Sequence, residues 1–436
     1  MNSIWNFDTE RPRFDELKES ISTDVLIIGG GIAGILCSYM LKNAGIDCVL
    51  IEADRICGGI TNDTTAKITL GHGLLYDKLK DRFGENKAKL YLEAQQLACK
   101  TYEDLCGEIS CNYEKKDSYV YSLKAVGPIK REVDALNRLG QRAEFVDKLQ
   151  LPFDICGAVC IRDQAQFHPL KFIYSIAKDL QIYENTKAIQ LMPGRAVTDH
   201  GDVTCKRMII ATHFPILNKH GAFFLKLYQH RSYVLALEGA PSIDGMYVDE
   251  SDKGLSFRNY GDLLLLGGGG HRTGKRGGCW QELEAFAKRH YNNARIVAKW
   301  ATQDCMTLDG IPYIGRYSKR TPDIFVATGF NKWGMTSSMV SALVLSDLIC
   351  GKNNRFSEVF SPSRSMLHPT LAVNAFESTI GLLTPTAPRC PHLGCALKYN
   401  SAEHSWDCPC HGSRFKENGE LINNPATDDK RNMPKA

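Results

Sequence analysis

DVLIIGGGIAG, residues 24–34, is the stretch on which the fold turns. Asp24 to Ile28 is a short apolar run of strand type, and Ile32 to Asn43 carries a helical pattern. Between them lies Gly-x-Gly-x-x-Gly, formed by Gly29, Gly31 and Gly34. The first glycine permits a tight turn, the second lets the backbone approach a pyrophosphate, and the third lets the helix pack closely on the strand. The pyrophosphate then rests on the helix N-terminus near Ala33, where unpaired N–H groups and the helix dipole favour an anion. A second strand, Cys48 to Ile51, leads to Glu52, placed to grip a ribose hydroxyl. A glycine pattern alone is a weak signal. With strand, helix, strand and terminal acid around it, it predicts an α/β, Rossmann-like dinucleotide domain. The bland alternative is a glycine-rich turn that binds nothing. The pattern does not separate NAD from FAD.

A second constellation lies near the other end of the chain. CPHLGC (Cys390 to Cys395) and CPCHGS (Cys408 to Ser413) each place a cysteine close to a histidine. Two thiolates, Cys390 and Cys408, and two imidazoles, His392 and His411, are what a Rieske [2Fe–2S] centre needs, with cysteines on one iron and histidines on the other. Zinc is the competing reading. Zinc fingers usually pair Cys with Cys and His with His, whereas here the order alternates, and Cys395 and Cys410 have no place in a four-ligand zinc site. The piece from Arg389 to Ala426 is too small to bury a core of its own. It is expected to be held by its metal, by cross-linking and by docking on the rest of the chain.

Both ends resemble known families. CPHLGC, WDCPCHGSRF and the run Gly419 to Ala426 resemble the Rieske family. The resemblance implies a small all-β module with a [2Fe–2S] cluster on Cys390, His392, Cys408 and His411, and a disulfide between Cys395 and Cys410. High-potential members carry a tyrosine, two residues past the motif serine, that donates to a cluster sulfur. Phe415 stands there in this chain, so a lower potential is expected. MIIATHFP (208–215), LDGIPYIG (308–315) and IFVATGFNKWGMT (324–336) resemble the D-amino-acid-oxidase family of FAD enzymes, which includes glycine and sarcosine oxidases. That resemblance covers roughly residues 20–355 and implies FAD. It adds Ala211, Thr212, Gly310, Gly329, Phe330, Gly334, Met335 and Thr336 to the expected cofactor contacts. The loop GGITNDTTAKITLGHG (58–73) is expected beside the isoalloxazine, with Thr65, Ala66 and Lys67 as candidates. Lys67 is read either as a stabiliser of the anionic reduced flavin or as a surface lysine. A helix from near Thr336 to Cys350 points its N-terminus at the flavin pyrimidine edge. Cys57 is read as a buried thiol.

The expected fold class is α/β: a Rossmann-like FAD-binding domain with an inserted antiparallel-sheet substrate domain, plus a small all-β Rieske cluster-binding module. Residues 1–355 form the FAD-dependent oxidoreductase, with FAD-binding segments about 20–80, 150–220 and 305–355 and a substrate domain of about 81–149 and 221–304. A linker rich in Ser, Pro and Thr spans 356–388, and the cluster module spans 389–436. Tyr76 to Glu108 reads as one long helical pattern. Gly267 to Gly270 reads as a strand end and a flexible turn rather than a second nucleotide site.

Composition excludes several classes. The 436 residues are 43% hydrophobic and 23% charged, ordinary for a soluble globular protein. A net charge of +4 is too small and too evenly spread for a nucleic-acid binder. No apolar run reaches the length of a membrane span, and the first residues carry no signal-peptide core, so a cytoplasmic location is expected. There the 16 cysteines are expected as mostly reduced thiols.

By the family resemblance, a substrate C–H beside an amine delivers hydride to FAD, and carboxylate-bearing substrates are held by an arginine. At the position of that arginine in the glycine-oxidase-like pattern, shortly after Trp300-Ala301, this chain has Asp304. The opposite charge argues against an amino acid bound in the usual way and suits a cationic group. The catalytic candidates are Lys67, Asp304, His271 and Arg272, with His72, Arg231 and Tyr233 as further pocket residues; each also reads as an ordinary surface or packing residue. FAD takes two electrons and the cluster carries one. The expected activity is therefore a dehydrogenase acting on a small molecule and passing electrons singly to an external carrier such as a ferredoxin. The alternatives are a reductase fed in the reverse direction by a ferredoxin-like donor, and a redox sensor. A Rieske oxygenase needs a mononuclear iron with two His and a carboxylate, and no such cluster stands out.

Overall fold

A strand buried on both faces reads as a nearly continuous apolar run, and Val25 to Ile28 is such a run within the strand Ile21–Ile28, at the centre of a parallel sheet. The computed structural model describes residues 3–217, 220–251, 253–385, 388–430 and 433. In it, Ile21–Ile28 pairs in parallel with Cys48–Ile51 on one side and with Asp202–Ile210 on the other. Thr321–Thr328 extends the sheet in parallel beyond Asp202–Ile210, and Ile182–Tyr183 closes the other edge beside Cys48–Ile51. The helix Ile32–Asn43 begins directly after the glycines and packs on the helix Gly334–Ile349. Both helices are apolar almost all round, as helices inside a core must be.

A nine-stranded sheet lies beside this domain. Its long strands Leu227–Glu238, Leu263–Arg272 and Arg295–Thr307 pair antiparallel. One junction differs from the expected antiparallel sheet: Met246–Asp249 runs parallel to Glu114–Ser122. The strand Gly157–Gln166, expected within the flavin segments, also pairs in this sheet, against Glu114–Ser122.

Three local expectations are corrected. The pattern Tyr76 to Glu108 is two helices, Tyr76–Phe83 and Glu85–Glu108, broken at Gly84, whose φ of 82° the helix cannot continue through. The strand Leu263–Arg272 does not end at Gly267 to Gly270; its ladder to Leu227–Glu238 shifts register there, between the pairs Tyr233–Gly268 and Arg231–His271, and continues past them. The expected linker 356–388 holds two helices, Ser357–Phe360 and Pro369–Leu383. The second is capped by His368, with proline in its first turn. It turns Asn374 and Gly381 inward and leaves Val373, Phe376, Ile380 and Leu383 exposed.

The C-terminal module is a four-stranded antiparallel meander of Lys398–Asn400, Ser405–Asp407, Arg414–Lys416 and Leu421–Asn423. Its core is little more than the four cysteines with Leu397, Phe415 and Ala426. So small a core needs outside support. Among the described residues, no helix is long and apolar enough to cross a membrane.

Candidate active site and cluster site

A cavity of about 890 Å³ opens at the carboxyl ends of the parallel strands, where ligands of open α/β sheets sit. Gly29, Gly31, Ala33 and Glu52 line it, as do Thr65, Lys67, Ala211, Thr212, Gly310, Phe330, Gly334 and Met335. Gly34 does not. A Cβ there would collide with the carbonyl oxygen of Gly29, so this glycine serves the close strand–helix packing. Gly31 has only Thr61 Oγ1 near an added Cβ, at 3.4 Å, and its missing side chain leaves the cavity floor open. Glu52 accepts hydrogen bonds from the backbone N–H of Gly30 at 2.6 Å and of Asp54 at 3.1 Å, and burial pushes its carboxyl up. Bare glycine backbone, a helix N-terminus and a buried terminal acid fit FAD.

The other end of the cavity is built from the second sheet and from the helix Gly334–Ile349. Gly267, Gly268 and Gly270 line it from within their strand. Gly334, Met335 and Ser338 bring the helix N-terminus to the wall. Thr336 and Gly329 stand just behind. Thr336 Oγ1 and His72 Nε2 are 3.1 Å apart, His72 Nδ1 is 2.8 Å from the Tyr91 hydroxyl, and the His72 ring stacks on Trp333. Burial lowers the His72 pKa to about 3, so this histidine is a neutral positioning group. Ala66 is buried and turns its carbonyl to the guanidinium of Arg258 instead of to the cavity. Cys57 lines the cavity as a free thiol pushed up by burial.

Of the catalytic candidates, two reach the cavity. Lys67 is no surface lysine: it lines the wall, donates to Thr65 Oγ1 at 3.0 Å, and has its pKa lowered to about 7 by burial and then by Arg258. Asp304 also faces the cavity, raised to about 6 by burial against the opposing pull of Lys332 and Arg231. His271 and Arg272 are corrections. Neither lines the cavity. His271 Nε2 sits 2.9 Å from the Tyr233 hydroxyl, and the Arg272 guanidinium meets Pro409 and Asn374. They lie where the sheet meets the C-terminal module, because the strand Leu263–Arg272 runs on past the glycines to that seam.

The cluster site is assembled by two loops of the module. The rings of His392 and His411 are 4.9 Å apart and nearly perpendicular. His411 is 2% exposed, and among the described residues neither of its ring nitrogens has a hydrogen-bond partner. Buried nitrogens left bare are costly unless something binds them. Contacts with Cys390, Cys395 and Cys410 hold the Cys408 thiol well below its usual range. A ready thiolate and the bare His411 imidazole beside His392 fit an iron–sulfur cluster. Phe415 is fully buried in the same core. The expected Cys395–Cys410 disulfide is not formed: both are free cysteines, and with Cys408 they make a group of three sulfurs within 4.8 Å of one another. A disulfide needs S–S close to 2.05 Å, and here the two interact as thiols, with each other and with Cys408.

Sequence reasoning missed the seam itself. Leu421, Ile422, Asn423, Asn424, Ala426 and Thr427 of the module line the large cavity. Gln303 donates its amide to the carbonyl of Gly412 at 2.9 Å, and the backbone at Gly274 and Gly412 lies so close to Pro409 and Gln229 that no Cβ fits. Polar residues at buried strand positions, such as Gln229 and Gln303, were the available hint.

Residues 24–348 match the family described as FAD dependent oxidoreductase, and residues 371–434 match the Rieske [2Fe-2S] domain. YhfW of Bacillus subtilis, named as a Rieske 2Fe-2S iron–sulfur protein, is 35% identical over 97% of this chain and 96% of its own length. Gamma-glutamylputrescine oxidoreductase of Escherichia coli is 23% identical over 79% of this chain and 87% of its own. Among solved structures, glycine oxidase from Geobacillus kaustophilus superposes with a TM-score of 0.66 at 19% identity, covering 79% of this chain and 99% of that one.

Proposed function

The chain belongs to the FAD-dependent oxidoreductases and carries a C-terminal Rieske domain, and from that premise we propose that it dehydrogenates a carbon–nitrogen bond of a small amine and passes the electrons singly to an external carrier. Bound in these sites, FAD accepts two electrons with a hydride and the cluster relays one at a time. The observation that supports the coupling is the shared wall: module residues Leu421 to Asn424 line the same cavity as Gly29 and Gly31. Around it, Asp304 offers a carboxylate to a cationic amine, Lys67 offers a positive charge, and neutral His72 orients Thr336. Amine-oxidising relatives favour this substrate class. The external carrier is of ferredoxin type, and the free cysteines favour a cytoplasmic setting.

The test is anaerobic. A panel of amines and amino acids is added to purified protein while flavin absorbance and the low-temperature EPR of the cluster are followed. Bleaching of the flavin followed by a Rieske-type EPR signal supports the reading. Flavin that no amine bleaches, but that fills after reduced ferredoxin fills the cluster, overturns it and sets the current in reverse.

A further inference from the structure

Residues 211–214 run from one redox site to the other. Ala211, Thr212 and His213 line the large cavity. The next residue, Phe214, is fully buried, and its ring lies edge-on to both His392 and His411, 6.2 Å centroid to centroid in each case. The connector is gripped from both sides. Thr212 Oγ1 donates to the Phe214 carbonyl at 2.9 Å, Thr328 Oγ1 donates to the His213 carbonyl, and the module's Asn424 amide donates to the carbonyls of Thr212 and Phe214. His213 holds a φ of 62°, an uncommon region for a residue with a side chain. Its Nε2 is 3.2 Å from Gln229 Oε1, and the Gln229 stem packs on Gly412, the neighbour of His411.

We propose that Phe214, together with His213, is the electron bridge between the flavin cavity and the histidine-held iron of the cluster. Electron tunnelling falls off exponentially with the gap, so an unbroken row of packed atoms outpaces any longer way round. In the outward direction each of two electrons leaves the reduced flavin separately, crosses Phe214 to His411, and reduces the histidine-held ferric ion to ferrous. A one-electron acceptor protein reoxidises that iron each time, and the proton left by the hydride goes to water. The bridge rests on the reading above only in that both groups bind here; it serves either direction of flow. Phe224 is its natural control. Its ring is also edge-on to His411, at 6.3 Å, but neither of its chain neighbours lines the cavity, whereas His213 beside Phe214 does.

The full-length holoprotein is reduced at its flavin by light with EDTA as donor, without any amine. The rise of the reduced-cluster EPR signal is then followed by freeze-quench. Phe214→Leu is expected to slow that rise by roughly tenfold or more, while Phe214→Tyr and Phe224→Leu leave it unchanged. The cluster potential, its direct reduction by dithionite, and hydrogen exchange of residues 421–427 are expected to stay as in the parent protein. A Phe214→Leu protein that fills its cluster at the parent rate overturns the bridge. So does a slowing accompanied by a shifted potential or by faster exchange at 421–427, since driving force or undocking then explains it. Because the electrons come from EDTA under light and not from an amine, failure of the amine reading leaves this outcome untouched.

Discussion

The carboxylate of Glu403 is clamped by the guanidinium of Arg231 across the seam between module and sheet, with Nε to Oε1 at 3.0 Å and both side chains almost fully buried. Arg414 and the Tyr233 hydroxyl donate to the same carboxylate, at 2.8 and 3.0 Å. Burial alone would raise the Glu403 pKa; Arg231 and Arg414 win and hold it at about 2. A carboxyl depressed on folding contributes stability above its unfolded pKa, roughly 4.3, and loses it as pH falls through the folded value. The seam is therefore expected to be intact at pH 6 and to open as pH drops from about 4 toward 2. Glu403→Gln leaves the buried Arg231 guanidinium without its carboxylate, while Arg414 keeps Asp407, and is expected to weaken docking by about 3–5 kcal/mol. Hydrogen exchange at residues 421–427 reads both effects, and unchanged protection in the variant refutes the clamp.

Gly31 and Gly34 are expected to fail differently. Gly34→Ala drives a methyl into the Gly29 carbonyl, so it separates helix from strand at a cost of about 1–3 kcal/mol or more. Gly31→Ala meets only Thr61 Oγ1 and should fold normally while binding FAD more weakly. Thermal unfolding of the flavin-free protein distinguishes them from flavin affinity measured by fluorescence.

Asp304, with a pKa of about 6 set chiefly by burial, becomes charged across the physiological range. If its carboxylate meets a cationic amine, KM is low above pH 6 and rises as pH falls below it. Asp304→Asn should remove that limb and raise KM at pH 8 by roughly ten- to a hundredfold, the worth of one hydrogen bond to a charge. A KM profile that keeps its acid limb in the variant assigns the limb elsewhere.

Phe415→Tyr offers the cluster sulfurs a donor they lack. A hydrogen bond worth about 1 kcal/mol raises a one-electron potential by tens of millivolts. Potentiometric EPR titration of the two proteins gives the difference directly, and an unchanged or lower value in the tyrosine variant counts against the assignment.

What could be read in the sequence was local. Gly29, Gly31, Gly34 and Glu52 lie within one strand–helix–strand unit, and Cys390, His392, Cys408 and His411 within one small loop pair, so spacing alone carried their chemistry. Lys67 and Asp304 were legible through the family pattern. The seam was not. Arg231 and Glu403 stand 172 residues apart, and nothing near either one announces the other. His271 and Arg272 were misplaced for the same reason: a glycine run that reads as a strand end continues as a strand and carries them out of the cavity. Helix Pro369–Leu383 was hidden by its inverted pattern, with Asn374 and Gly381 inside and its large apolar residues outside.

The C-terminal residues Leu421 to Thr427 form part of the wall of a cavity whose floor is laid by Gly29 and Gly31 near the other end of the chain. Retention of the two prosthetic groups is therefore linked: whatever loosens the module from the sheet also takes away one side of the flavin compartment.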